Sequence, residues 1–148
     1  MIKSIVVGTD GSDTARKAVQ EAADLAAAVG AEINLVSAYV PVSSQRLREE
    51  TRQAPGDVQW QVTPREDVDS MLSEAEKIVK GAGVKEVHTH AREGDPADAI
   101  LDVAEEQSAD LVVVGNKGMS GAKRFLLGSV PNKVSHHAPC SVLIVRTT

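Results

Sequence analysis

The spacing of apolar residues switches repeatedly between two rhythms along the chain. Ile2–Thr9 contains the run Ile5-Val6-Val7 between polar residues and glycine, which predicts a strand. Ser12–Val29 takes up the helical period, with Ala15, Ala18, Val19, Ala22, Ala26 and Val29 on one face and Gly30 placed to close the helix. Ile33–Val40 reads as a second strand. From Pro41 to about Val62 the period is lost among Pro, Ser, Gln, Arg and Gly, so an insertion loop is expected there.

Thr63-Pro64-Arg65-Glu66 has capping-box spacing, with Pro in the first helical position and Glu able to reach back to the cap. Val68, Met71, Leu72, Ala75, Ile78 and Val79 then hold the 3.6-residue rhythm up to Lys80-Gly81. Glu86–Arg92 sets Val87, Thr89 and Ala91 against His88, His90 and Arg92, the alternation of a strand with one face in water. Asp95-Pro96 opens a third helix with Ile100, Leu101 and Ala104 inward. Asp110–Gly115 is a fourth strand, apolar on both faces. Ser129-Val130-Pro131 opens a short helix that Pro139 stops, and Ser141–Arg146 is a final strand.

Strands alternating with helices require crossover connections, and these are right-handed. The fold class is α/β: a five-stranded parallel sheet with helices on both faces. The flavodoxin- or Rossmann-like order 3-2-1-4-5 places the polar third strand at an edge and the apolar first and fourth strands at the centre. Strands one and four then flank the switch point, beyond whose carboxyl ends ligands bind.

Composition narrows the function. The 148 residues fit one domain, 1–148, and the chain is 42% hydrophobic with only 2% aromatic residues, so its core is built from Val, Ile, Leu and Ala. A net charge of −5, with no run of Lys or Arg and almost no aromatic side chains, argues against nucleic acid as a partner. No apolar run spans a bilayer. A strand-like segment directly after Met1 leaves no room for a leader. The lone cysteine, Cys140, has no partner for an internal disulfide, and a buried structural thiol is the simpler reading of it. A cytoplasmic protein is expected.

Two loops converge at the expected crevice: Gly8-Thr9-Asp10-Gly11-Ser12, and the stretch GNKGMSGAKRFLLGSV from Gly115 to Val130, which has no acidic residue. Gly115 and Gly118 permit positive φ and close approach of backbone N–H groups to an anion. Gly128-Ser129 falls at a helix start, whose dipole contributes about 0.3–1 kcal/mol to holding an anion when exposed and about 2 kcal/mol when partly buried. Micromolar binding needs about 8 kcal/mol, so backbone amides, the Ser129 hydroxyl and Lys117 would have to act together.

The spacing Gly115-x2-Gly118-x9-Gly128-Ser129, with VVGTDGS, GDPADAIL, ADLVVVGNKGMSG and RFLLGSVPNKV…APCSVLIVR in the same order, resembles the universal stress protein family in its ATP-binding branch. The resemblance covers nearly the whole chain and leaves out the insertion 41–62. It implies ATP as the bound cofactor, with Mg²⁺ or Mn²⁺ held through its phosphates and no metal ligand assigned to the protein. Thr9 and Asp10 would lie against the adenosine, and the backbone near Ala38 against adenine. Val114, Gly115 and Gly118 would line ribose and phosphates, and Gly128, Ser129 and Val130 would cradle the phosphate chain. The resemblance also implies a homodimer through the last strand. Val142, Leu143, Ile144 and Val145 agree with that, being apolar on both faces at a sheet edge that proteins normally cover or pair.

Plainer readings stand beside these. The glycines serve turns in any protein, Asp10 suits an Asx turn, and Lys117, Lys123 and Arg124 fit a solvated face. His136 and His137 are adjacent on a helix and diverge by about 100°. His88 and His90 share a strand face with no third ligand evident, which suits solvated side chains. No G-x-S-x-G, H-E-x-x-H, C-x-x-C or Walker A motif is present, so catalysis is not expected. The expected function is an adenine-nucleotide-binding stress-response regulator. The alternatives are a slow ATP hydrolase, a cyclic AMP-binding member of the same family, and an adaptor dimer that takes no ligand.

Overall fold

A computed structural model describes residues 1–39, 65–116 and 127–147. The insertion 41–62, the start of the capping box at Thr63-Pro64, and Lys117, Gly118, Lys123 and Arg124 lie outside the described residues. The order of elements is β1 (Ser4–Gly8), α1 (Asp13–Val29), β2 (Glu32–Tyr39), α2 (Arg65–Gly81), β3 (Val87–Glu93), α3 (Pro96–Glu106), β4 (Leu111–Gly115), α4 (Ser129–His137) and β5 (Ser141–Val145). The strands form one parallel sheet in the order β3-β2-β1-β4-β5. The expected topology is therefore observed.

Helix boundaries follow local chemistry. Ser12 caps α1 by accepting a hydrogen bond from the Ala15 N–H at 3.1 Å, and Gly30 ends the helix at φ 75°, a conformation that costs glycine little. Asp95 caps α3 through the Asp98 N–H at 3.0 Å, with Pro96 in the first turn, where its missing N–H is not needed.

The two-residue alternation of the strands divides the core between the faces of the sheet. On one face, Ile5, Val7, Ile33, Leu35, Leu111 and Val113 pack against Val19, Ala22 and Ala26 of α1 and Val68, Leu72, Ala75 and Val79 of α2. On the other, Val6, Val36, Val112 and Val114 pack against Ile100, Val103 and Ala104 of α3 and Val134 of α4. Each large side chain taken fully out of water contributes about 1.5–3 kcal/mol.

Three expectations about faces are corrected. Val29 is 43% exposed, because the burying stripe of α1 passes through Ala23 and Ala26 before the helix runs past the edge of its packing partners. In α3, Val103 rather than Leu101 completes the inward face beside Ile100 and Ala104, and Leu101 is only half-buried. Cys140 is likewise half-buried, packed against the α3–α4 side of the core, and this partial burial pushes its thiol pKa up.

The two edges of the sheet differ. On β3, Arg92 makes a two-pronged pair with Glu106 of α3 at 2.7 and 2.8 Å. His90 is half-buried rather than solvated, with Nε2 3.0 Å from the Oδ1 of the fully buried Asn34. Burial, reinforced by the Arg92 charge, lowers its pKa. At the opposite edge, Val142 and Ile144 of β5 pack on one core cluster and Val145 on the other, while Leu143 stays 36% exposed. Among the described residues no helix is long and apolar enough to cross a membrane.

Replacing Leu35 by Ala should cost about 2–5 kcal/mol in urea unfolding, because a fully buried side chain leaves a cavity. Val29→Ala, at an exposed site, should stay within about 0.5 kcal/mol of the parent. Equal losses at the two positions would contradict the face assignment of α1.

Candidate functional site at the carboxyl edge of the sheet

The site follows from where β1 stops. Its ladder with β2 ends at Gly8 opposite Val36, while β2 continues through Ser37, Ala38 and Tyr39. The Thr9 N–H donates to the Val36 carbonyl at 2.9 Å, so the backbone groups of Val36 face β1. Residues along a strand turn their N–H and C=O groups alternately to opposite neighbours. Ala38 must therefore face the same way as Val36, at a level where β1 has already turned aside. Among the described residues its N–H and C=O have no backbone partner on the side between β2 and β4. The carbonyl of Tyr39, facing the other way, accepts from the Gly94 N–H at 2.9 Å, as the alternation requires.

The loop from β1 to α1 is braced from within. The Ser37 hydroxyl donates to the Thr9 carbonyl at 2.8 Å, and the Thr9 hydroxyl oxygen accepts from the Gly11 N–H at 3.2 Å. Asp10 forms the Asx turn, accepting from the Ser12 N–H at 3.0 Å, and it also lines the cleft, so its two readings coexist. Gly11 has φ 79°, and a Cβ there would collide with Met71 of α2.

Across the opening, Gly128 is the N-cap of α4 and supplies no side-chain cap. Its N–H is not offered to the cleft, because it donates to the Asn116 carbonyl at 2.9 Å. The Gly128 N–H is thus engaged within the protein, while Gly128 itself lines the cleft. Pro131 has no N–H, and the Asn132 N–H already donates to the Gly128 carbonyl at 3.0 Å. The amides of Ser129 and Val130 are what remains, at the positive end of a helix with no acidic residue in its first turn.

Between these groups lies a cleft lined by Thr9, Asp10, Ala38, Val114, Gly115, Gly128, Ser129 and Val130. The structure thus gathers every site residue named from the sequence that falls within the described residues. Its floor and walls add Gly8, Ala15, Val36, Ser37, Pro96, Ile100 and Pro131. Sequence reasoning placed Ile100 in the core, and only the packing of α3 under the end of β1 makes it a floor as well. Gly8, at the start of the first crevice loop, has a steric reason to be glycine: a Cβ there would collide with the Ile100 side chain, so glycine allows α3 to sit this close. The cleft is therefore apolar below and polar along its rim. Lys133 on its α4 side is engaged with Asp98 at 2.8 Å and Asp95 at 3.4 Å.

The metal expectations are tested separately. Asp10 is the only carboxylate among the described residues lining the cleft, joined there by the hydroxyls of Thr9, Ser37 and Ser129. That donor set suits a divalent ion held mainly by ligand oxygens and water, not an all-protein cage. At the opposite, amino end of the strands, His88 does have companions: its Nε2 lies 3.8 Å from Glu32 and 3.6 Å from Glu86. These partly exposed groups form a charged patch remote from the cleft.

Fold and cleft together define an open parallel α/β protein with a ligand crevice at its topological switch point. The profile of the universal stress protein family matches residues 1–146, and the chain belongs to that family. Universal stress protein Rv1636 of Mycobacterium tuberculosis is 42% identical over 148 residues, covering 99% of this chain and 97% of its own. A universal stress protein crystallised in complex with cAMP is 35% identical, with a TM-score of 0.74 over 99% of this chain and 98% of its own. The universal stress protein from Archaeoglobus fulgidus in complex with dAMP is 28% identical, with a TM-score of 0.67 over 99% and 100% of the two chains.

Gly8→Ala should lower stability by about 1–3 kcal/mol through overpacking against Ile100. Adding Ile100→Val, which removes the colliding Cδ1, should recover part of that loss in thermal unfolding. Strictly additive effects would mean that the two side chains do not meet.

Proposed function

We propose that this protein binds an adenine nucleotide in the cleft and acts as a nucleotide-dependent regulator of a stress response, in the cytoplasm and as a homodimer. One observation carries the reading: an unpaired strand edge at Ala38 and the open amides of Ser129 and Val130 face a common apolar floor. A planar base fits the floor and can be read by the Ala38 N–H and C=O. A phosphate fits the helix start, where N–H groups and the dipole favour negative charge. The family relatives solved with cAMP and dAMP support adenine as the base.

ATP is the first candidate, through the glycine spacing from Gly115 to Gly128, with Mg²⁺ or Mn²⁺ held through the phosphates. Cyclic AMP is the second reading, favoured by the withdrawal of the Gly128 amide, which leaves a compact anion site suited to a single phosphate. We assign no enzymatic role: among the described residues lining the cleft the single carboxylate is engaged in an Asx turn, and there is no histidine. The apolar, half-exposed outer edge of β5 supports pairing through Val142, Leu143, Ile144 and Val145 with a second copy.

Calorimetric titration with ATP and cyclic AMP, singly and in competition, should give at least one near-micromolar site, with phosphate release from ATP at the buffer background. Ser129→Pro removes one amide and one hydroxyl at a position where proline suits the helix, and the preceding Gly128, at ψ 163°, already has a conformation that proline tolerates. Affinity should fall about tenfold to a hundredfold, since each hydrogen bond to a charged group contributes about 1.5–3 kcal/mol. Full affinity in this variant would reject the assigned phosphate position. Leu143→Lys should shift the protein from dimer to monomer in light scattering, and an unaltered mass would rule out the β5 interface.

A further inference from the structure

We propose that Asn116 is a positioning residue coupling the amides of the cleft to the segment behind β5, so that nucleotide affinity depends on Thr147, which the cleft does not touch. This inference rests on the nucleotide reading above. Asn116 follows β4 directly, and its bonds to described residues run in three directions. Its N–H donates to the Val145 carbonyl at 2.9 Å, at the end of β5. Its carbonyl accepts from the Gly128 N–H at 2.9 Å. Its side-chain Oδ1 accepts from both the Thr147 N–H at 2.8 Å and the Thr147 hydroxyl at 2.9 Å.

Thr147 is only 3% exposed, and its own carbonyl accepts from Lys17 Nζ of α1 at 3.1 Å. A buried polar residue so placed would lose hydrogen bonds if it moved, and unmet buried groups are costly. The side-chain bonds therefore hold the conformation of Asn116, and with it the direction of the Asn116 carbonyl. That carbonyl matters because Gly128 has no side chain with which to cap α4. The backbone bond from Gly128 to Asn116 aims the first turn of the helix, and the open amides of Ser129 and Val130 belong to that turn. The same residue thus orients the anion-binding groups and anchors the chain next to the apolar β5 edge. A change at Thr147 therefore reaches the cleft through Asn116 and the first turn of α4.

Thr147→Val keeps the side-chain shape and the backbone N–H but loses the hydroxyl bond. It should weaken binding of ATP, or of cyclic AMP if that is the ligand, by about threefold, the effect of one ordinary hydrogen bond. Thr147→Ser, which retains the hydroxyl, should bind as the parent does. In the nucleotide-free protein, hydrogen exchange of Asn116→Ala should speed up together in peptides covering 127–134 and 141–147. Parent affinity in Thr147→Val would overturn the proposal, as would faster exchange confined to 141–147. If the parent protein binds neither nucleotide, the functional reading falls, and the exchange experiment still decides whether Asn116 couples the two segments. Should Asn116→Ala fail to fold, the Val and Ser variants at Thr147 carry the test alone.

Discussion

The early stop of β1 is the constraint on which the carboxyl edge of this molecule depends. A strand inside a parallel sheet satisfies the backbone of both neighbours, so where it ends, a neighbour that continues is left with unpaired groups. Here β1 leaves the ladder at Gly8 while β2 runs on to Tyr39 and β4 to Gly115. α1 departs to one face and α4 packs on the other, and among the described residues no strand refills the gap. Ile100 rises beneath it because Gly8 has no Cβ to keep α3 away. An apolar floor and polar rim thus come from a single termination.

The character of the anion-facing side follows from what is withheld as much as from what is offered. A chain with net charge −5 does not gather phosphate by long-range attraction. Among the described residues Lys133, on the α4 side of the cleft, is engaged with Asp95 and Asp98. Among the described residues the donors on this side are the backbone N–H groups of Ser129 and Val130 and the Ser129 hydroxyl, which act over short range. On the proposed nucleotide reading, such a site would select by fit of the whole ligand, base and phosphate together, because neither end alone supplies enough binding free energy.

The sheet edges divide the other tasks. β3 is protected by side chains, since His90 bonds to Asn34 and Arg92 reaches Glu106. Among the described residues β5 has no such side-chain ties, and its apolar residues lie a short hydrogen-bonded path from the cleft through Thr147 and Asn116.

Much of this was legible in the chain because it depends on neighbours in sequence. Ser12, Gly30 and Asp95 mark helix ends through local hydrogen bonds, the unbroken apolar runs of β1 and β4 mark central strands, and the alternation in β3 marks an edge. The two glycine-bearing loops were legible too, since a switch point gathers the loops after its flanking strands. What stayed hidden depends on contacts between residues far apart. Val29 and Leu101 fit their helical stripes but are exposed and half-buried respectively; the half-burial of His90 sets it beside Asn34; and the engagement of the Gly128 amide depends on Asn116. Periodicity and local bonding, carried by each segment, therefore determined the elements, their order and the place of the cleft. Which amides remain open, which side chains form the floor and what anchors the segment behind β5 were decided only in the tertiary structure, because a hydrogen bond or a collision needs both partners in place.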